Sequence, residues 1–200
     1  MKLRNITYSG THLTDNAIFE KLPQQLMEFL SEQNGVIAFN GGLQIRSCSG
    51  EPKWNSLKEY WTGDKALFRT YDKLTVTDIP FGQDCVGDQF FIRDNTVFRL
   101  SSETGDIESL QVDFNTFLHN ANEDPDEYLL LGPLRQFEQT GRTLKPGELL
   151  SVFPLFCMEE SKNGISVKNI PAEERIAFLK EVYRQIKNIP DRGRIEIRLE

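Results

Sequence analysis

The sequence predicts an α+β fold with a mainly antiparallel sheet, and three observations predict it. A phenylalanine-rich hairpin sits near the middle of the chain, helical patterns flank it on both sides, and no βαβ unit repeats. The hairpin is Gln89-Phe-Phe-Ile-Arg93, a two-residue Asp94-Asn95 turn, and Thr96-Val-Phe-Arg-Leu100. That turn pairs Phe91 with Phe98 and Ile92 with Val97, so Phe91, Phe98 and Leu100 share one face while Phe90, Ile92 and Val97 share the other. Both faces are apolar, whereas a half-exposed pair would alternate, so the hairpin is expected to be central and covered on both sides.

In chain order, Thr14 or Asp15 can cap a helical turn reaching Glu20, and Pro23 opens a helix with Leu22, Leu26, Phe29 and Leu30 on one stripe, stopped at Gly35. Val36–Phe39 and the alternating Leu43–Arg46 form an early hairpin around Asn40-Gly41-Gly42. Ser49–Asn55 is loop, and Ser56 with Glu59 has the spacing of a capping box before Tyr60 and Trp61. Trp54 and Trp61 are expected in the core. Leu74–Thr77 alternates as a strand, Pro80 keeps Ile79 extended, and Gly82 and Gly87 bracket a loop before the central hairpin.

Beyond the hairpin, residues 103–106 make a turn, Ile107–Leu110 a strand, and Asp113 caps a helix carrying Phe114, Phe117 and Leu118. Asn122–Glu127 reads as a surface connection or helix start, and Gly132-Pro133 as a break before a helix over Leu134–Thr140. Lys145–Glu148 is a turn into a strand over Leu149–Phe153, and Asn163-Gly164 is a hairpin turn with Ile165–Val167 beyond it. Pro171 opens a helix that is acidic at its start and basic near its end, with Ile176, Leu179, Val182, Tyr183 and Ile186 on one stripe; Arg194–Leu199 is a last strand. With no flexible linker at the join, residues 1–125 are expected to form one module and 126–200 a C-terminal α/β extension packed on it.

Ile79-Pro80-Phe81-Gly82, the short acidic glycine loop, the phenylalanine strand and the upstream Leu-Pro helix ending in Asn-Gly resemble the SUKH superfamily. This is the fold of the fungal Smi/Knr cell-wall regulators and of many bacterial immunity proteins. The resemblance runs from about Ile18 to about Leu118, and the loop Asp84-Cys-Val-Gly-Asp88 departs from the family's usual glycine-rich stretch. It implies an α+β binding protein that neutralises a cognate toxin, with a regulator or scaffold of cell-envelope synthesis as the alternative within the same family.

Composition agrees with a binding role. Hydrophobic content of 38% and charged content of 26% describe an ordinary globule, and the start carries no apolar signal run, so a cytoplasmic protein without a membrane span is expected. The net charge of −7 divides into −1 for residues 1–100 and −6 for 101–200. No Lys or Arg occurs from Ser101 to Leu134, while Glu103, Asp106, Glu108, Asp113, Glu123, Asp124, Asp126 and Glu127 all do. Such a strip repels nucleic-acid phosphates and suits the basic groove of a nuclease toxin, so these eight residues, with Asp84 and Asp88 of the motif loop, are the predicted partner-binding set.

No catalytic set stands out. Cys48, Cys85 and Cys157 are widely spaced and read as buried free thiols; with only His12 and His119 they give no zinc pattern. Asp84 and Asp88 beside Cys85 raise its thiol pKa, and Gly82–Gly87 lacks the Lys and Ser/Thr of a phosphate loop. Asp78, Asp84 and Asp88 could form an acid/base pair or a hard-cation site, and a metal-dependent hydrolase using Asp84 and Asp88 is the alternative of another class, against the simpler reading that short acidic side chains bond loop amides. The expectation is no catalysis, no cofactor and no metal.

Overall fold

The computed structural model describes residues 2–189. Among these, seven strands make one antiparallel sheet whose spatial order is the order of the chain. They are β1 (Tyr8–Ser9), β2 (Val36–Ala38), β3 (Leu43–Ile45), β4 (Ile79–Asp84), β5 (Gln89–Arg93), β6 (Thr96–Leu100) and β7 (Ile107–Ser109). A separate antiparallel pair joins β8 (Glu148–Phe153) to β9 (Ser166–Pro171). The chain is therefore an α+β fold.

The hairpin β5–β6 has the expected register, with Phe91 opposite Phe98 and Ile92 opposite Val97. Asp94 and Asn95 hold φ of 49° and 61°, the left-handed pair that a tight two-residue turn requires. Its two faces enter two separate buried clusters. Phe90, Ile92 and Val97 join one, and Phe91 and Leu100 join the other, with Phe98 packed at its edge.

Helices cover the first face. Their apolar stripes bring Leu26 and Leu30 from α2 (Gln24–Glu32), Phe114, Phe117 and Leu118 from α4 (Phe114–Glu123), and Leu134 and Phe137 from α6 (Gly132–Glu138). Phe117 meets Phe81 edge-on with ring centres 5.5 Å apart and Phe90 at 4.9 Å, the tilted packing that ring quadrupoles favour. Short acidic side chains cap helices, as where Asp15 accepts from the amide of Ile18 before α1 (Asn16–Phe19) and Asp113 accepts from that of Thr116 at 2.8 Å before α4.

The second face is closed by Tyr60 of α3 (Leu57–Trp61), by Leu67 and Tyr71, and by α7 (Ala172–Ile186), whose Ile176, Leu179 and Tyr183 share a cluster with Phe91 and Leu100. The Leu150 amide of β8 donates to the Cys85 carbonyl at 2.8 Å. Residues beyond 125 thus pack into both buried clusters, Leu134, Phe137, Leu150 and Val152 into the first and Leu149, Ile176, Leu179 and Tyr183 into the second. The expected division after residue 125 falls within a short helix, α5 (Pro125–Tyr128).

A polar cluster lies inside this apolar frame. Arg46 is 0% exposed, yet it has no carboxylate partner among the described residues. Its Nη1 donates to the carbonyls of Pro80 and Gly82 at 2.8 and 3.1 Å, and its Nη2 to Gln83 Oε1 and Gln89 Oε1 at 2.8 and 2.6 Å. The guanidinium also lies 4.2 Å from the centre of the Tyr60 ring. Burial lowers its pKa to about 10, which leaves it a cation at neutral pH.

Several expectations are corrected. Leu43–Arg46 alternates in sequence, yet Gln44 and Arg46 are buried along with Leu43 and Ile45 because β3 is covered on both faces. Leu74–Thr77 is a turn, since Asp78 accepts from the Thr75 amide at 2.7 Å while also pairing with Arg93. Gly82 does not open the loop but sits inside β4, where a Cβ would lie 2.6 Å from the Gln44 carbonyl oxygen. Ser56 precedes α3 without a side-chain cap bond, its hydroxyl buried and unpartnered.

Pro23 precedes α2 instead of starting it, and Gly132-Pro133, expected just ahead of a helix over Leu134–Thr140, form the first turn of α6. Asn163 ends a 3-10 turn, Glu159–Asn163, so the β8–β9 connection is a long loop, not a two-residue hairpin. Cys157, read as a buried thiol, is exposed, while Cys48 and Cys85 are buried. The expected strand Arg194–Leu199 lies outside the described residues.

Candidate functional site

The site is built around the turn from β4 to β5. Asp84 ends β4 and folds its carboxylate back over the turn, where Oδ1 accepts from the amides of Val86, Gly87 and Asp88 at 2.9, 2.9 and 3.0 Å. Gly87 takes φ of 101°, a value that side chains resist. Asp88 Oδ1 then accepts from the Ser102 amide at 2.8 Å, tying this turn to the one between β6 and β7.

Glu103 follows in that second turn. It is 4% exposed, its Oε2 accepts from the Cys157 amide at 2.9 Å, and its Oε1 lies 3.8 Å from Arg175 Nη2 without a hydrogen bond. Arg175, on the first turns of α7, donates through Nε to the Val86 carbonyl at 3.0 Å. Two sheet turns, the segment after β8 and the last helix therefore meet at one place.

An open cleft of about 760 Å³ lies over this junction. Asp84, Asp88 and Glu103 line it from the sheet, and Asp124, Asp126 and Glu127 from α5. Asp124 caps α5 through the Glu127 amide, and Asp126 pairs with Arg135. Apolar side chains also line it, and two of them are exposed, Leu130 at 58% and Phe156 at 47%. Leu130 holds φ of 57°, a left-handed conformation that leucine rarely adopts.

Six of the ten predicted acidic residues thus share one cleft. The other four do not. Asp106 pairs with Lys73 at 2.8 Å, Asp113 caps α4 and accepts from Gln25, and Glu108 and Glu123 are exposed elsewhere. Glu103, read as part of an exposed strip, is buried instead because Arg175 and the Cys157 amide draw it inward.

Electrostatics follow the burial. Loss of water raises the pKa of Asp84, against the pull of Arg99 and three amides. Asp88 is pushed up to about 7, first by burial and then by the charge of Asp84. The Cys85 thiol rises well above its ordinary value, with burial a larger cause than its acidic neighbours. Among the described residues no group of three or more His, Cys, Asp or Glu side chains converges as a metal donor set. What the arrangement offers chemically is a partly desolvated set of carboxylates able to take up protons or a cation.

The sign of the pH effect follows directly. Between about pH 4 and 7 folded Asp88 holds a proton that an unfolded chain has lost, so its contribution makes stability fall as pH rises through that window. Asp88→Asn is expected to stabilise the protein at pH 8 relative to the unaltered chain and to flatten the decline from pH 5 to 8 in urea midpoints. An unchanged slope would show a carboxylate that folding does not desolvate.

Sequence reading missed Arg99, Arg175, Leu130 and Phe156. Arg175 carried a signal, because it falls beside Ile176 on the stripe that runs through Ala172, Leu179 and Val182. Leu130 and Phe156 carried none that separates them from core residues. No protein-family model and no curated protein matches the chain.

Proposed function

We propose that this chain is a non-catalytic binding protein whose acidic cleft receives a basic protein partner, and that the partner is a bacterial toxin held harmless in the cytoplasm of the cell that makes it. The observation that carries the cleft reading is the gathering of Asp84, Asp88, Glu103, Asp124, Asp126 and Glu127 around exposed Leu130 and Phe156. Charge steers and orients a partner, and apolar shoulders give it area to bury. The toxin and the cytoplasm come from the SUKH resemblance, and the sign of the cleft disfavours nucleic acid as the direct ligand. No helix among the described residues is long and apolar enough to cross a membrane.

The non-catalytic part of the reading is supported by the use of Asp84, whose Oδ1 holds three loop amides. It is tested by a folded Asp84→Asn, Asp88→Asn double variant, in which loss of a metal-dependent hydrolysis would overturn it.

The binding part is tested on the rim. Asp124→Asn, Asp126→Asn and Glu127→Gln together remove three charges from exposed positions and keep a side-chain acceptor at the α5 cap. Association with the basic protein captured from the native cell is expected to slow about tenfold at low salt and to lose salt sensitivity. Glu123→Gln, in the same stretch but outside the cleft, should change little. Equal slowing by the control, or none by the triple variant, moves the interface elsewhere.

A further inference from the structure

Among the described residues β9 is paired on one side only, by β8. The amide of Leu150 in β8 is turned away from β9, toward the Cys85 carbonyl, while at the end of the hairpin the Ala172 amide donates across to Gly147. Antiparallel bonding alternates, and the register sets Leu150 opposite Asn169 and Val152 opposite Val167. The amides and carbonyls of Val167 and Asn169 therefore point outward. Ile165 has the same orientation, and its carbonyl accepts from the Gln136 side chain of α6 at 2.7 Å. Beyond it nothing among the described residues bonds the main chain of Val167 or Asn169, so four groups stay open.

The other edges are guarded by shortness. β1 and β7, which end the main sheet, have two and three residues, whereas β9 has six. Phe153 of β8, opposite Ser166, adds apolar surface at 67% exposure. Neither Phe153 nor any residue of β9 lines the acidic cleft.

Lys168 decides among occupants, because it is exposed and stands between the two open residues. When two copies pair antiparallel with all four groups engaged, Val167 faces Asn169 of the second copy. Lys168 then faces its own equivalent at the closest cross-strand spacing, and like charges there repel. A shift by two residues brings in either Ile165, whose carbonyl is taken, or Pro171, which has no amide. A second copy is disfavoured, and a strand with a carboxylate opposite Lys168 is favoured.

We propose that β9 is a docking edge for an extended segment of another protein, added antiparallel, with a glutamate or aspartate opposite Lys168 and an apolar residue opposite Ser166 that leans toward Phe153. Main-chain bonds to Val167 and Asn169 give such a strand its affinity, and its alternate side chains give selectivity. The edge is independent of the acidic cleft and prefers the opposite charge.

The probe is the peptide acetyl-Thr-Val-Glu-Val-Phe-Thr amide, whose valines face Asn169 and Val167 and whose glutamate faces Lys168. It is expected to shift the Val167 and Asn169 amides saturably by NMR and to slow their exchange with deuterium. N-methylation of the second valine removes a donor aimed at β9 and should abolish binding. N-methylation of the glutamate, whose amide points away, should change affinity by less than about twofold. Exchanging the glutamate for lysine should weaken binding about tenfold, the difference between an attractive and a repulsive cross-strand pair. Lys168→Glu, at an exposed position, should reverse that order.

Equal affinities for the two N-methylated peptides overturn the proposal, as do Val167 and Asn169 amides that the glutamate peptide leaves unmoved. A Lys168→Glu variant that keeps the original preference also overturns it. A dimer in sedimentation that Lys168→Ser strengthens assigns the edge to a second copy instead.

Discussion

Arg46→Met is expected to destabilise the fold by about 3 to 5 kcal/mol, a large part of what holds a domain together. Methionine fills much of the space but leaves the carbonyls of Pro80 and Gly82 without the donor they have now, at buried positions that water does not reach. Gln83 and Gln89 recover part of the loss, because Gln89 Nε2 already donates to Gln83 Oε1 at 3.2 Å. Replacing a whole buried ion pair by apolar groups can be neutral, but here only the donor is removed and the acceptors stay. Arg46→Lys keeps the charge without the planar fork and should recover only a fraction. Urea unfolding measures both, and a methionine variant within about 1 kcal/mol of the original would mean that the acceptors find other donors.

The second large effect separates two rings that the sequence treats alike. Phe91 is fully buried against α7 and stacks on Phe98 with ring centres 5.3 Å apart, whereas Phe98 is only half-buried. Phe91→Ala should cost about 3 to 5 kcal/mol and Phe98→Ala about 1 to 2. Equal losses would place Phe98 in the core as firmly as its partner.

That contrast marks how far sequence reaches. The hairpin was legible to the residue because a two-residue turn fixes register, and register fixes which side chains share a face. Exposure was not. Gln44, Arg46, Gln83 and Gln89 look like a solvated face in one dimension, and only the packing of Tyr60 and the far strand turns them into a buried network. Leu74–Thr77 alternates like a strand, but Asp78 offers its backbone a local partner that β pairing does not match.

The candidate site divides in the same way. The shortage of Lys and Arg between Ser101 and Leu134 was visible, and it placed Asp124, Asp126 and Glu127 correctly at an exposed turn. Their approach to Asp84 and Asp88 is a tertiary fact, set by α4 packing its phenylalanines on Phe81 and Phe90 and by Arg175 of α7 drawing Glu103 inward. No local pattern encodes it.

The cover supplied by α7 has a consequence for how the protein is made. Every strand pair from β1 to β7 joins neighbours in the chain, so the sheet can zip as it emerges from the ribosome, with little loop-closure entropy to overcome. Phe91, Leu100 and Tyr71 then wait for Ile176, Leu179 and Tyr183. At roughly 5–20 residues per second, synthesis from Leu100 to Ala172 takes several seconds. For that interval one side of a finished sheet presents bare aromatic surface, and a stall within β8 or β9 would leave a nascent chain with the stickiness of a partly folded one.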